Sequence, residues 1–560
     1  MSSAALGSTP SRSHALAGAR AQAWALAALT LLALALRLTS LSRSLFTDEA
    51  YSLALAQRSF GHMVVLFGYE ANGTLYSIVL WPLIRLFGDG EQLLRAPAVL
   101  AGAASVPAMW WAARQLAPGR VVPLTAAALL AINPMAVWYS QEARAYSFVV
   151  LAACLAFGSL ARAVHGPGGG EDGRGPAGPA GARPGARAAW IGYVAAMAAM
   201  AYCDLFAAPL ALPAQLLLVR SGGREAMRGW RRALLALLAC CLPLLVASGI
   251  SRSRRDALYW LPKTDRALVE LGIQEFTGGF SGVSAVGWLT VLVGAALLAA
   301  VLWRSRGGGD AERDGRALRA RLAVAATWAL APAALLLAVS FVKPVFWPRY
   351  AIVSVPGLCL LVALLGGALT QGRASPGALM RGPRSLGARG GFGAACVAAI
   401  VALALYADTR QVHEIQENWR PIAAWLRAER PAGTPTIVDN ALVLPSLGYY
   451  DPAFSAANGD LVVQEWRDEA LPTGFVGFKD RTGYGSVPDG PPSAQTFARL
   501  ARRGSGSVWM IVSEVDDDLQ ANPREGAAVA WARSHCRVEV RESTGVWALR
   551  ASRCAASAPS

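Results

Sequence analysis

Apolar residues in this chain gather into long runs separated by short polar stretches. The runs approach the length of a membrane-crossing helix, about 20 residues. They cover 23–41, 94–113, 121–138, 145–160, 188–203, 205–219, 233–250, 285–303, 322–342, 351–369 and 392–406, so about 11 transmembrane helices are expected. A further stretch, 75–87, is shorter and carries Pro82 and Arg85, which predicts an interfacial or partly embedded helix. Between 53 and 67, Leu53, Leu55, Phe60, Met63 and Leu66 alternate with Gln57, Arg58 and His62. That spacing predicts a short amphipathic helix lying on the membrane surface. The pattern changes after residue 407. Residues 418–430 read as a helix, 436–439 and 507–512 as buried strands, and 538–540 is expected to pair with 546–549. The expected organisation is a disordered cytoplasmic tail (1–22), a transmembrane domain (23–406) with an outer loop at 42–93, and an extracytoplasmic α/β domain (407–560).

Charge gives the expected sidedness. Of 560 residues 54% are hydrophobic and only 16% charged, which suits a polytopic membrane protein better than a set of soluble domains. The net charge of +16 sits in loops between apolar runs, so it points to a bilayer and away from nucleic acid. Loops assigned to the inside are Arg-bearing, placing the amino terminus in the cytoplasm and the carboxyl terminus outside. The first run is long for a signal peptide and lacks a tidy cleavage site, so it reads as an uncleaved anchor. The loop 251–284 is basic yet falls outside by parity, which points to an anionic ligand or lipid headgroup. No Cys/His spacing for a metal is present. Cys536 and Cys554 flank a predicted hairpin and could form a disulfide in an oxidising compartment, two free thiols being the alternative.

Three clusters far apart in sequence then share the expected outer face. Asp48 and Glu49 follow the first span, Glu142 and Arg144 sit between apolar runs with Gln141, and Lys343 and Arg349 follow span nine. A carboxylate pair at the edge of hydrocarbon is expected to have a raised pKa through desolvation and like-charge repulsion, which suits a proton acceptor. Arg matches a phosphate through its planar fork and Lys acts as a point charge. This set suits transfer of a group from an anionic lipid phosphate: Asp48 and Glu49 on the catalytic side, Arg144, Lys343 and Arg349 on the phosphate. The fixed cations leave no requirement for a divalent metal, and no cofactor is expected. Arg37, inside the first span, is expected to snorkel outward or to pair with Asp48.

The chain resembles the family 39 glycosyltransferases of the GT-C membrane fold, which include protein O-mannosyltransferases and lipid A aminoarabinose transferases. The resemblance rests on Phe46-Thr47-Asp48-Glu49-Ala50-Tyr51, Leu75-Tyr76, Leu86-Phe87-Gly88-Asp89, Leu94-Arg95, Tyr139-Ser140-Gln141-Glu142-Ala143-Arg144-Ala145-Tyr146, Lys343-Pro344 and Pro348-Arg349-Tyr350. It implies a polyprenyl-phosphate sugar donor, an outer active site and Asp48 as general base; direct displacement of the phosphate is expected to invert the anomeric carbon, with protein, glycolipid and polysaccharide all open as the extracytoplasmic acceptor. Many relatives carry a basic residue and prolines before the Leu-Tyr pair, where this chain has Ala71-Asn72-Gly73-Thr74; Glu70 and Asn72 are expected to replace them beside Tyr76. The rival reading is a lipid or envelope-precursor transporter or flippase, which predicts paired repeats and charges near mid-membrane; the notable charges here sit at span ends and no internal repeat is visible.

Overall fold

The apolar runs fold as helical segments because a buried or lipid-facing backbone must satisfy its own hydrogen bonds. The computed structural model describes residues 12–66, 74–117, 119–166, 185–250, 261–305, 312–370, 388–431, 434–440, 444–452, 461–465, 494–504, 506–513 and 523–554; Glu70 and Asn72 lie outside them. The helices of the first part are α1 (Arg12–Arg37), α2 (Thr47–Ala56), α3 (Phe60–Leu66), α4 (Thr74–Phe87), α5 (Glu91–Leu116), α6 (Val121–Ala131), α7 (Pro134–Trp138) and α8 (Tyr146–His165). They continue as α9 (Ala186–Cys203), α10 (Ala207–Ser221), α11 (Gly223–Ile250), α12 (Arg266–Gly278), α13 (Ser284–Ser305), α14 (Glu312–Ser340), α15 (Val355–Thr370) and α16 (Ala388–Gln411), with a 3₁₀ turn at Pro348–Ser354 before α15. Among the described residues eight helical segments are long and apolar enough to cross a membrane, and α4, α6 and α10 are shorter apolar helices. α5, α8 and the Pro348–Thr370 segment are mostly buried inside the protein, whereas α1, α11, α13 and α14 expose most of their length. The exposed helices present Leu, Val and Trp outward, as lipid-facing surfaces do.

Two sequence expectations need correction. The run 121–138 is not one continuous helix. α6 stops at Ala131, and α7 restarts at Pro134 with Asn133 accepting the Ala136 N–H at 2.9 Å. Pro has no N–H to continue the ladder, so the break falls where it stands. Ending a helix inside the protein exposes carbonyls, and Arg37 satisfies them. Its guanidinium donates to Ala131 O (2.9 Å), Leu130 O (3.5 Å) and Ala33 O (3.0 Å), and Nε donates to Ser140 Oγ (3.2 Å). Arg37 is fully buried and neither snorkels nor meets Asp48. The approach is close: a Cβ at Gly102 would lie 2.1 Å from Ser140 Oγ and 2.7 Å from Arg37 Nε.

The second correction concerns 47–66. The expected surface helix is two helices broken at 57–59, and α2 is covered on most sides, burying Thr47, Glu49–Leu53, Leu55 and Ala56. Its alternating pattern reflects packing against α4 and the later helix Leu444–Tyr450, not a membrane surface.

Beyond α16 come α17 (Trp419–Glu429), β1 (Thr436–Asn440), α18 (Leu444–Tyr450), β2 (Leu461–Glu465), α19 (Ala494–Arg503), β3 (Val508–Ser513), α20 (Pro523–His535), β4 (Arg537–Ser543) and β5 (Val546–Ser552). The strands form one sheet in the order β2-β1-β3-β5-β4, with β2, β1 and β3 parallel and β5 and β4 antiparallel. Alternation along β3 sends Trp509 and Ile511 toward α17, and Val508 and Met510 toward α19 and α20. The expected hairpin forms with Val540 opposite Leu549, and Cys536 and Cys554 are joined in a disulfide.

Candidate active site

The loops that follow α1, α7 and α14 meet at one end of the bundle. This brings Asp48 and Arg349, 301 positions apart by their numbers, into an ion pair at 3.1 Å. Asp48 lies in the first turn of α2, and Arg349 in the 3₁₀ turn that follows Pro348. The Arg349 guanidinium also lies 5.9 Å from the centre of the Tyr146 ring and 6.0 Å from that of Tyr350. Arg144 joins from the loop before α8, donating to Ser52 Oγ at 3.3 Å, one turn along α2 from Asp48. Ser52 in turn donates to the Asp48 carbonyl at 3.1 Å.

Asp48 and Glu49 do not act as the like-charge pair expected. The Asp48 side chain keeps 32% of its surface open, whereas that of Glu49 is fully buried. Glu49 Oε1 accepts from Arg95 Nε (2.7 Å) and the Ala143 N–H (2.7 Å). Its Oε2 accepts from Arg95 Nη2 (2.5 Å) and the Phe46 N–H (3.3 Å). Arg95 spends its remaining donors on the carbonyls of Leu41, Arg43 and Ser44, at 2.8, 2.8 and 3.1 Å. Glu49 therefore ties the 41–46 loop, α5 and the 142–144 loop together. Nor is the Asp48 pKa raised. Desolvation pushes it up, but the charges of Arg349 and Arg144 outweigh that and hold its carboxyl below the usual range.

The surrounding carboxyls behave oppositely. Burial pushes Glu142 up to about 8, reinforced by the charge of Glu49 and opposed by Arg349 and Arg43. Burial likewise raises Glu275, on α12, to about 8 against the charge of Arg349 and a hydrogen bond from Tyr139 at 3.3 Å. Asp204, between α9 and α10, rises to about 7 for the same reason, opposed by backbone N–H groups of Phe206 and Ala207. The site thus sets the ionised, accessible Asp48 beside two carboxyls, Glu142 and Glu275, that keep their protons near neutrality, an arrangement that separates a base from proton donors.

The remaining expected residues divide. Glu142 Oε1 accepts from Gln416 Nε2 at 3.3 Å, its other oxygen is buried with no hydrogen-bond partner among the described residues, and Glu142 lines a small cavity with Arg43, Trp138 and Gln416. Gln141 bridges to the end of α1 through Leu36 O (2.8 Å) and Thr39 Oγ1 (3.1 Å). The Tyr76 hydroxyl donates to Leu94 O at 2.6 Å, which joins α4 to α5. Lys343 stands exposed on the loop ahead of Arg349. Arg95 entered the sequence reading only as part of a motif, and Glu275 only as part of a basic loop. A lone Arg heading an apolar helix was the available signal for the first. Among the described residues no group of three or more His, Cys, Asp or Glu is placed to hold a metal ion.

No family model and no curated protein sequence matches the chain. Solved structures do. The protein is similar to ArnT from Cupriavidus metallidurans in the apo state, at 14% identity and a TM-score of 0.55, over 95% of this chain and 98% of that one. It is similar to the same protein bound to undecaprenyl phosphate, at 16% identity and a TM-score of 0.52 over the same shares. It is also similar to the oligosaccharyltransferase AglB from Archaeoglobus fulgidus, in complex with an inhibitory peptide and a dolichol-phosphate, at 12% identity and a TM-score of 0.50, over 95% of this chain and 74% of that one. At these identities the likeness reaches the fold and does not single out family 39. The chain is a multi-pass, mainly helical membrane protein with the GT-C fold.

Proposed function

We propose that the chain transfers a sugar from a polyprenyl-phosphate donor to an acceptor hydroxyl on the extracytoplasmic face, inverting the anomeric carbon. The observation that carries this reading is the partly exposed Asp48–Arg349 pair, a base and a phosphate-matched cation held 3.1 Å apart at one end of the bundle. The solved structures of this fold that hold undecaprenyl phosphate or dolichol-phosphate support a lipid-phosphate ligand. Before the donor arrives, Arg349 keeps Asp48 ionised and weakly basic. The donor phosphate then competes for the guanidinium fork, and as Arg349 turns to it the Asp48 carboxylate gains basicity.

Asp48 takes the proton of the acceptor hydroxyl, whose oxygen bonds to the anomeric carbon as the bond from that carbon to the phosphate oxygen breaks. Arg349 and Arg144 stabilise the charge on the departing polyprenyl phosphate, and Lys343 adds positive potential from the rim. These cations supply the charge, so the mechanism requires no divalent metal. Glu49 serves by holding the loop through Arg95, and the protonated Glu142 and Glu275 are the proposed hydrogen-bond donors to sugar oxygens. Glu70 and Asn72 remain proposed acceptor contacts. The amino terminus is assigned to the cytoplasm and the sheet-bearing domain to the outside.

The experiment is transfer in proteoliposomes, using polyprenyl-phosphate sugars labelled in the sugar and an envelope extract as acceptor. Label passing to the extract with release of polyprenyl phosphate, and an inverted anomer by NMR, is the expected result. Movement of intact donor between leaflets without bond cleavage would instead establish the transporter reading.

A further inference from the structure

The helix that carries Asp48 begins with an unmet need. The first N–H groups of a helix have no acceptor within it, and a Ser, Thr, Asp or Asn at the N-cap usually supplies one. The N-cap of α2 is Phe46, which makes no side-chain cap. Thr47 is buried, so solvent does not serve in its place. The acceptor comes from 370 residues further on: Glu417 Oε2 accepts the Thr47 N–H at 2.9 Å and the Thr47 hydroxyl at 2.8 Å. The same oxygen accepts the Trp419 indole N–H at 2.6 Å, and Glu417 is itself buried. The residue after Thr47 is Asp48.

Glu417 is held from the far side by the sheet. The Asn418 N–H donates to Thr544 O at 2.8 Å, and the Trp419 N–H to Ser44 Oγ at 3.1 Å. The Trp419 ring packs in the core between α17 and β3 and β5. Thr544 and Gly545 form the turn of the β4–β5 hairpin, whose ends the Cys536–Cys554 disulfide joins. Gly545 has φ +66°, and a Cβ there would lie 2.1 Å from the Gln416 carbonyl oxygen, so only glycine permits this contact.

We propose that Glu417 is a positioning residue for Asp48: the C-terminal domain supplies the missing cap of α2 and is thereby part of the active site. Its catalytic consequence rests on the transfer reading above, but the cap itself does not. Glu417 acts through Thr47 and touches no substrate.

The test uses the full chain in nanodiscs, comparing wild type with Glu417→Ala and Glu417→Gln by hydrogen exchange of segment 44–52 and by steady-state transfer. Gln keeps a carbonyl acceptor for Thr47, whereas Ala removes it. Expected for Glu417→Ala is exchange of that segment accelerated about tenfold, with the rest of the bundle unchanged. Its kcat should fall about 10–100-fold, as for a reacting group displaced by an ångström, and its donor KM should stay within about threefold. Glu417→Gln should restore exchange and most of kcat. Wild-type exchange in Glu417→Ala, or a Glu417→Gln protein as impaired as Glu417→Ala, overturns the proposal. Should Glu417→Ala not accumulate, Thr47→Val deletes one of the two Thr47 donors: faster exchange at 44–52 supports the cap, and wild-type exchange overturns it. If exchange responds as expected but the wild-type protein transfers no sugar, the cap stands and the transfer reading falls.

Discussion

Asp48 and Glu49 are neighbours of like chemistry with opposite fates. Glu49 faces inward and receives four donors, two of them from Arg95, so nothing about it is available to a substrate. Asp48 is partly exposed and holds an exchangeable partner, Arg349. A carboxylate that is buried and fully hydrogen-bonded organises its surroundings; one that is accessible and paired with a replaceable cation can change partners. The seat of Glu49 is therefore structural, and that of Asp48 chemical.

Substitutions should separate the two. The largest effect on turnover is expected from Asp48→Asn, which should slow transfer by about 10²–10⁴-fold, the usual worth of a general base, with a smaller loss of thermal stability in detergent than Arg95→Met. Arg95→Met should do the reverse, destabilising the fold by about 3–5 kcal/mol because it strands a buried charge; denaturation midpoints read this directly. Arg349→Met removes the cation that depresses the Asp48 pKa, so the acid limb of the kcat/KM profile should move to higher pH. The sign for stability follows. A carboxyl whose folded pKa is depressed stabilises the protein above its unfolded value, and that contribution is lost as pH falls through the folded pKa; Arg349→Met should abolish that acid-side loss. The smallest effect belongs to Lys343→Ala. An exposed charge is strongly screened, so transfer should slow by about threefold or less, and the difference should shrink at high salt.

Much of the helical architecture was legible because a membrane-length apolar run has few alternatives. The break at Asn133–Pro134 was written in the residues, yet a hydropathy reading passes over it, since both halves are apolar. The same reading could not foresee that Arg37 satisfies the carbonyls exposed by that break, because the contact joins α1 to α6. Asp48, Arg144 and Arg349 were recognisable as charges at span ends, and the fold brings them together. The division of labour between Asp48 and Glu49 was not legible. It depends on which way each side chain leaves α2, and on Arg95, whose partner lies 46 residues away. Glu417 was hidden for the same reason: an acidic residue beside a soluble helix gives no sign of a Thr47 some 370 positions earlier.

The contrast between the two carboxylates is tested most directly by binding of polyprenyl phosphate to wild-type, Asp48→Asn and Arg349→Met proteins at one pH. If Arg349 exchanges Asp48 for the donor phosphate, Asp48→Asn frees the guanidinium and should bind as tightly as wild type or more so, while Arg349→Met should lose about 10–100-fold in affinity, the worth of one charge-assisted fork. Equal losses in the two variants, or none in Arg349→Met, would contradict it.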